Sequence, residues 1–126
     1  MELNKLHQVA IHAEDLEASR KFYEDVLGAR HIASFDPPGL VFFDFSGVRL
    51  LLEKNASPGM VYFWVDDIDA ATAELKAKGV TLEQEPHMIF PDSEGLFGPA
   101  GESEWMAFFK DPAGNTLALA SRKPIG

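Results

Sequence analysis

Apolar and polar residues alternate with period two along several short stretches of the chain, and recur at a period near 3.6 along two longer ones. Leu6–Ala13 reads as a first strand. Asp15 then predicts a helix N-cap, because its carboxylate can accept from the free amides of a first turn. Leu16, Ser19, Phe22, Tyr23, Val26 and Leu27 follow as one inner stripe, with Glu17 and Lys21 paired at i,i+4 on the wet side. Gly28 suits the helix stop. Ala29–Ser34 reads as a strand and Asp36-Pro37-Pro38-Gly39 as a turn. Leu40–Phe45 and Val48–Glu53 form a predicted hairpin around Ser46-Gly47.

The same order then begins again. Met60–Val65 is an apolar, aromatic strand. Asp67 caps a second helix, whose inner stripe is Ile68, Ala71 and Leu75 and whose outer pair is Glu74 with Lys78. Gly79 ends it. Val80–Glu85 and Met88–Phe90 are strand-like on either side of Pro86-His87. Glu104–Lys110 and Asn115–Ser121 make a last hairpin around Asp111-Pro112-Ala113-Gly114. Val9–Tyr23 superposes on Val61–Leu75 at a shift of 52 positions, Gly28 on Gly79 at 51, and Gly47 on Gly114 at 67. The larger last shift marks an insertion, Pro91–Glu104, rich in Gly, Pro and acidic residues. A long irregular segment in a compact domain is often functional, so a lid is one reading of it and a surface insertion the other. An internal repeat of this order predicts an α+β fold of two βαβββ modules, about 1–55 and 58–123, in a single domain 1–126. Packed together, within one chain or between two, their mostly antiparallel sheets would curve around a cup able to hold a small ligand.

Composition narrows the chemistry. The chain has 126 residues, 46% of them apolar and ten of them Phe, enough for one core. There is no Cys, which excludes disulfides, thiolate metal ligands and a Cys nucleophile. The net charge of −9 leaves no basic face for nucleic acid. No apolar run approaches the roughly 20 residues that span a bilayer. Met1-Glu2-Leu3-Asn4-Lys5 has no apolar signal region, so a cytoplasmic location is expected. The segment Phe97-Gly98-Pro99-Ala100-Gly101 lacks the Lys-Ser/Thr ending of a phosphate loop.

Three segments carry a family resemblance. In Val9–Gly28 a strand leads to Asp15-Leu16, then Phe22-Tyr23, then Leu27-Gly28. Tyr62–Ala71 repeats its opening, and Phe109-Lys110-Asp111-Pro112-Ala113-Gly114-Asn115 precedes the final strand. Together they resemble the glyoxalase / bleomycin-resistance / extradiol dioxygenase (vicinal oxygen chelate) superfamily over essentially the whole chain. Metal-dependent members hold one divalent ion with four residues from the first and last strands of each module. Carried over position by position, these fall on Gln8, Leu51, Met60 and Ala118. Only Gln8 is an acceptable match; Leu51 and Ala118 cannot coordinate, and a Met60 thioether is disfavoured by hard cations. The resemblance therefore implies a small-molecule-binding protein without the family's usual metal centre, with no cofactor expected. The alternative is a metal-dependent lyase, isomerase or dioxygenase relative with a non-standard site holding a divalent ion. It also implies a homodimer, a small organic ligand, and neither nucleic acid nor membrane as a partner.

The residues themselves offer further candidates. His12 shares parity with Gln8 and so points to the same sheet face. His87, beside the insertion, is suited to acid–base work near neutral pH. Glu53 ends its strand. These three are the candidate catalytic groups. Gln8, Met60, Tyr62, Trp64, His87 and Trp105 are the candidate ligand contacts, with His87 and Trp105 read as a rim flanking the insertion that grips a flat or cationic ligand. Core packing is the competing reading for at least one of Tyr62 and Trp64, and the expectation for Phe42, Phe43, Phe45, Phe108 and Phe109.

Overall fold

The structure, a computed structural model, describes residues 1–126. Its elements are β1 (Gln8–His12), α1 (Leu16–Lys21), β2 (Arg30–Phe35), β3 (Leu40–Phe45), β4 (Val48–Glu53), β5 (Met60–Trp64), α2 (Ile68–Ala77), β6 (Gln84–Asp92), β7 (Glu102–Lys110) and β8 (Thr116–Pro124). They form two βαβββ modules, each with a four-stranded mixed sheet, in the orders β1-β4-β3-β2 and β5-β8-β7-β6. The first strand of each module runs parallel to its last, and the other pairs are antiparallel. By compactness the chain divides into a unit of Met1–Gly59 with Asp111–Asn115, and a unit of Met60–Lys110 with Thr116–Gly126.

The helices begin where capping chemistry puts them. Asp15 accepts the Ala18 amide at 3.0 Å, and Asp67 accepts the Ala70 amide at 3.1 Å. The first helix does not stay α-helical. Residues Phe22–Val26 widen into a π-helical turn, with the Leu27 amide reaching back to the Phe22 carbonyl at 3.1 Å. Gly28 and Gly79 then end the two helices at φ +70° and +88°, a backbone conformation that a Cβ would strain.

Within the first unit, the helix face of the sheet supplies the core. Ile11, Val41, Phe43, Leu50 and Leu52 are buried there, and Tyr23 packs on Phe43 with ring centroids 5.4 Å apart. Full burial of one such side chain contributes about 1.5–3 kcal/mol. The second unit repeats this with Ala107, Phe109, Leu117 and Leu119 against Ile68 and Leu75 of α2.

The strands depart from the sequence expectation at the insertion. Val80–Glu83 is not a strand, and β6 runs through Pro86-His87 to Asp92, with register shifts against β7 between Gln84 and His87 and between Met88 and Phe90. A proline is tolerated because β6 is an edge strand, where a missing amide costs no ladder bond. With β7 starting at Glu102 and β8 reaching Pro124, only residues 93–101 remain as loop.

That loop is fastened at both ends, which argues against a free lid. The Asp92 carboxylate, fully buried, accepts the Leu96 amide at 2.7 Å and the Phe97 amide at 3.0 Å. Arg122 donates to Asp92 at 2.8 Å, to Glu102 at 2.9 Å and to the Pro99 carbonyl at 3.1 Å. A Cβ on Gly98 would stand 2.8 Å from the Arg122 guanidinium carbon, so the loop packs directly on its anchor.

Candidate functional site

Each sheet has one face under its helix and one face away from it. On the away face of the first sheet, cross-strand register groups Gln8 with Arg49, Ala10 with Leu51, and His12 with Glu53. Phe42 stands beside Leu51 and Asp44 beside Arg49 on β3. The β1–β4 and β3–β4 ladders have no bulge, so Leu51 stands between Ala10 and Phe42, and Glu53 between His12 and Leu40.

The Gln8 side chain is already engaged. Its Oε1 accepts from Arg49 Nε at 2.9 Å. Arg49 Nη2 meets His7 Nε2 at 2.8 Å, and the guanidinium carbon lies 5.9 Å from the Phe42 ring centroid. At the far end of β1, His12 Nδ1 donates to the Lys54 carbonyl at 2.9 Å, and its Nε2 lies 3.3 Å from Glu14.

On the away face of the second sheet, register places Met60 beside Thr116, Tyr62 beside Ala118, and Trp64 beside Ala120. Phe108 flanks Ala118 from β7. Tyr62 and Phe108 meet edge to face at 6.3 Å, and His87 lies 6.2 Å from Phe108, making a run of three rings. His87 Nδ1 donates to the Glu85 carbonyl at 2.8 Å, and Trp64 Nε1 donates to Asp66 at 3.0 Å. Met60, Tyr62 and Trp64 are 57%, 52% and 60% exposed, so neither aromatic is core in this chain. Among the phenylalanines read as packing, Phe43 and Phe109 are fully buried.

The expected rim of His87 and Trp105 does not form. His87 pairs with Met106 and Trp105 with Met88, so the two side chains leave opposite faces of the sheet. Trp105 lies under Lys123, whose Nζ is 4.2 Å from the indole centroid and 2.7 Å from Asp69 of α2. His12 and Glu53 are brought together as register neighbours in the first unit; His87 belongs to the second.

A divalent metal does not fit the four positions taken from the resemblance. Leu51 and Ala118 carry no donor atom, and Met60 offers only a soft sulfur. The Gln8 oxygen is held by a guanidinium, whose positive charge would repel a second cation at that oxygen. No three His, Asp or Glu side chains elsewhere are arranged to hold a metal ion. Arg49 is the residue that reading the sequence missed. Its signal was a lone cation in the apolar run Val48–Glu53, at the parity of Leu51.

Paired βαβββ modules of this kind define a fold class. The chain belongs to the Glyoxalase/Bleomycin resistance protein/Dioxygenase superfamily, whose family model matches residues 5–119. Among solved structures it is similar to lactoylglutathione lyase from Agrobacterium tumefaciens, at 23% identity and a TM-score of 0.75 over 96% of each chain. It is also similar to TnmS3, an antibiotic binding protein from Streptomyces sp. CB03234, at 20% identity and a TM-score of 0.72 over 98% of this chain and 99% of that one. At these identities the likeness is one of fold. A curated relative is the putative ring-cleaving dioxygenase MhqE of Bacillus subtilis (strain 168), 28% identical over 139 residues, 83% of this chain and 45% of that protein. Another is the mitochondrial methylmalonyl-CoA epimerase of Mus musculus, 32% identical over 98 residues, 62% of this chain and 55% of that protein. The chain thus spans about half the length of the curated relatives it matches. No helix is long and apolar enough to cross a membrane.

Proposed function

We propose that this chain binds a small organic molecule without a divalent metal. One observation carries the reading: the Gln8 oxygen is occupied by the Arg49 guanidinium, while Leu51 and Ala118 offer no donor. The binding surface is the ring run on the second sheet, Tyr62, Phe108 and His87, with Met60 and Trp64 beside it. Exposed aromatic and thioether groups on a rigid sheet favour a flat, apolar ligand, since they gain by burial and stacking. The antibiotic-binding role in the name of TnmS3 is in keeping with this, as a property of a protein with the same fold. The test is titration of the isotope-labelled chain with neutral planar probes such as naphthalene and quinoline. Saturable NMR shifts centred on Met60, Tyr62, Trp64 and Phe108, lost in Trp64→Ala, are expected. Shifts that avoid these residues would overturn the assignment.

A second reading keeps an enzyme. It is favoured by His12 and Glu53 standing as register neighbours on one face, with His12 Nε2 3.3 Å from the Glu14 carboxylate. It draws on the activities in the curated relatives' names, and it requires that His12→Ala abolish a turnover while leaving the fold intact.

A further inference from the structure

We propose that Arg49 forms a carboxylate-recognition site on the away face of the first sheet, for a small organic acid with an apolar or aromatic body. The chain has four arginines, and three are matched to carboxylates: Arg20 to Glu17 and Glu24, Arg30 to Asp44, and Arg122 to Asp92, Glu102 and Glu104. Arg49 is half-buried and has none. In a chain of net charge −9, a partly desolvated guanidinium without a counter-ion is the exception, because withdrawing a charge from water is costly unless it is paired.

The nearest carboxylate in the register is engaged elsewhere. Asp44 faces Arg49 across β3 and β4, yet it accepts the Gly47 amide at 3.1 Å and lies 3.5 Å from Arg30. Glu53, further along the same face, is the register partner of His12. What holds Arg49 is an amide and an imidazole, not a carboxylate. Gln8 Oε1 takes the Nε proton, and His7 Nε2 takes one from Nη2, acting as the acceptor because a guanidinium has only donors.

These two partners occupy the Nε/Nη2 edge of the fork and fix its plane. The Nη1/Nη2 edge is left for a ligand, and that edge too can meet a carboxylate with two parallel hydrogen bonds. Phe42 stacks near the guanidinium at 5.9 Å, and Phe35, half exposed, meets Phe42 at 6.1 Å. Together they offer apolar contact to the remainder of such a ligand. The site uses residues of the first sheet and does not depend on the aromatic row of the second.

The test follows the Arg49 side-chain Nε–H resonance in the full ¹⁵N-labelled chain. Benzoate is titrated at constant ionic strength, with benzamide as the neutral isostere and sodium chloride as the ionic control. Benzoate is expected to shift that resonance saturably, and benzamide and chloride are not. Arg49→Gln should weaken benzoate at least about tenfold, as loss of a charge-assisted pair does, and Arg49→Lys should retain part of the affinity. Dispersed amide spectra of both variants show that the fold persists. Equal responses to benzoate and benzamide or chloride, no saturable benzoate response, or unchanged affinity in Arg49→Gln would each overturn the proposal. Neutral probes that shift Tyr62 and Trp64 while benzoate leaves Arg49 unmoved would sink this inference alone. The reverse pattern would sink the aromatic-face reading alone.

Discussion

The Tyr23 hydroxyl donates to the Asp111 carboxylate at 2.8 Å, with both residues buried and 88 positions of chain between them. Asp111 also accepts the Ala113 amide at 3.0 Å, the Asn115 amide at 2.8 Å and Asn115 Nδ2 at 2.8 Å. Asn115 continues the network, donating to the His12 carbonyl at 2.6 Å and accepting the Gly59 amide at 2.9 Å. The Asp-Pro-x-Gly-Asn sequence is thus a turn whose two polar side chains saturate buried backbone groups of the first unit, and Tyr23 is the helix's share in it. Burial, then the Asp111 charge and hydrogen bond, push the Tyr23 phenol well above its ordinary range, so it stays a donor at any working pH.

Removing members of this network should cost unequally. Tyr23→Phe deletes one bond and leaves Asp111 with its other donors, a loss of roughly 1 kcal/mol. Asp111→Ala strips the acceptor from Tyr23, Ala113 and both Asn115 donors, a loss of roughly 3 kcal/mol or more. Urea unfolding checks the order; equal losses in the two variants would show that the network does not act as described.

Asp92 predicts a specific acid limb. Burial opposes its ionisation, but the Phe97 amide, Arg122 and the Leu96 amide outweigh it and hold the carboxyl at about 2, against an ordinary 3.8. A depressed carboxylate contributes stability that is full above the ordinary value and is lost as pH falls through the folded one. The stability difference between the parent chain and Asp92→Asn should therefore be flat above about pH 5 and shrink between about pH 4 and about pH 2. Thermal melts across that range measure it, and a gap that persists unchanged to pH 2 would contradict it.

Ser19 and Ser121 hold buried hydroxyls with no hydrogen-bond partner in the protein. Deleting an unsatisfied polar group is close to neutral or favourable. Ser19→Ala should keep or raise stability by up to about 1 kcal/mol, part of it from helix propensity. Ser121→Ala, in a strand, isolates the hydroxyl's own contribution. Chemical denaturation of the two variants is the check, and a marked loss in both would point to a role that the hydrogen-bond geometry does not contain.

Much of the fold was legible because local chemistry and global repeat agree. Asp15 and Asp67 cap helices in corresponding places, and Leu40–Phe45 and Val48–Glu53 match β3 and β4 to the residue. The π-helical turn was hidden, because apolar residues at Phe22, Tyr23 and Val26 suit either helix type. Pro86 read as a breaker because a sequence does not reveal which strand lies at an edge. The site was legible in part. Parity put Gln8 with His12, and Met60 with Tyr62 and Trp64, on common faces, as the register bears out. Pairing between distant strands is set by tertiary register, so neither the separation of His87 from Trp105 nor the grip of Arg49 on Gln8 could be read in advance.

The most direct test of metal-independent binding is elemental analysis of the chain prepared without chelator or polyhistidine tag, repeated after loading with Ni²⁺, Zn²⁺, Mn²⁺ or Fe²⁺ and desalting. Metal far below one ion per chain under every condition is the predicted result. About one tightly held ion per chain would contradict the account and move the enzyme reading to the front.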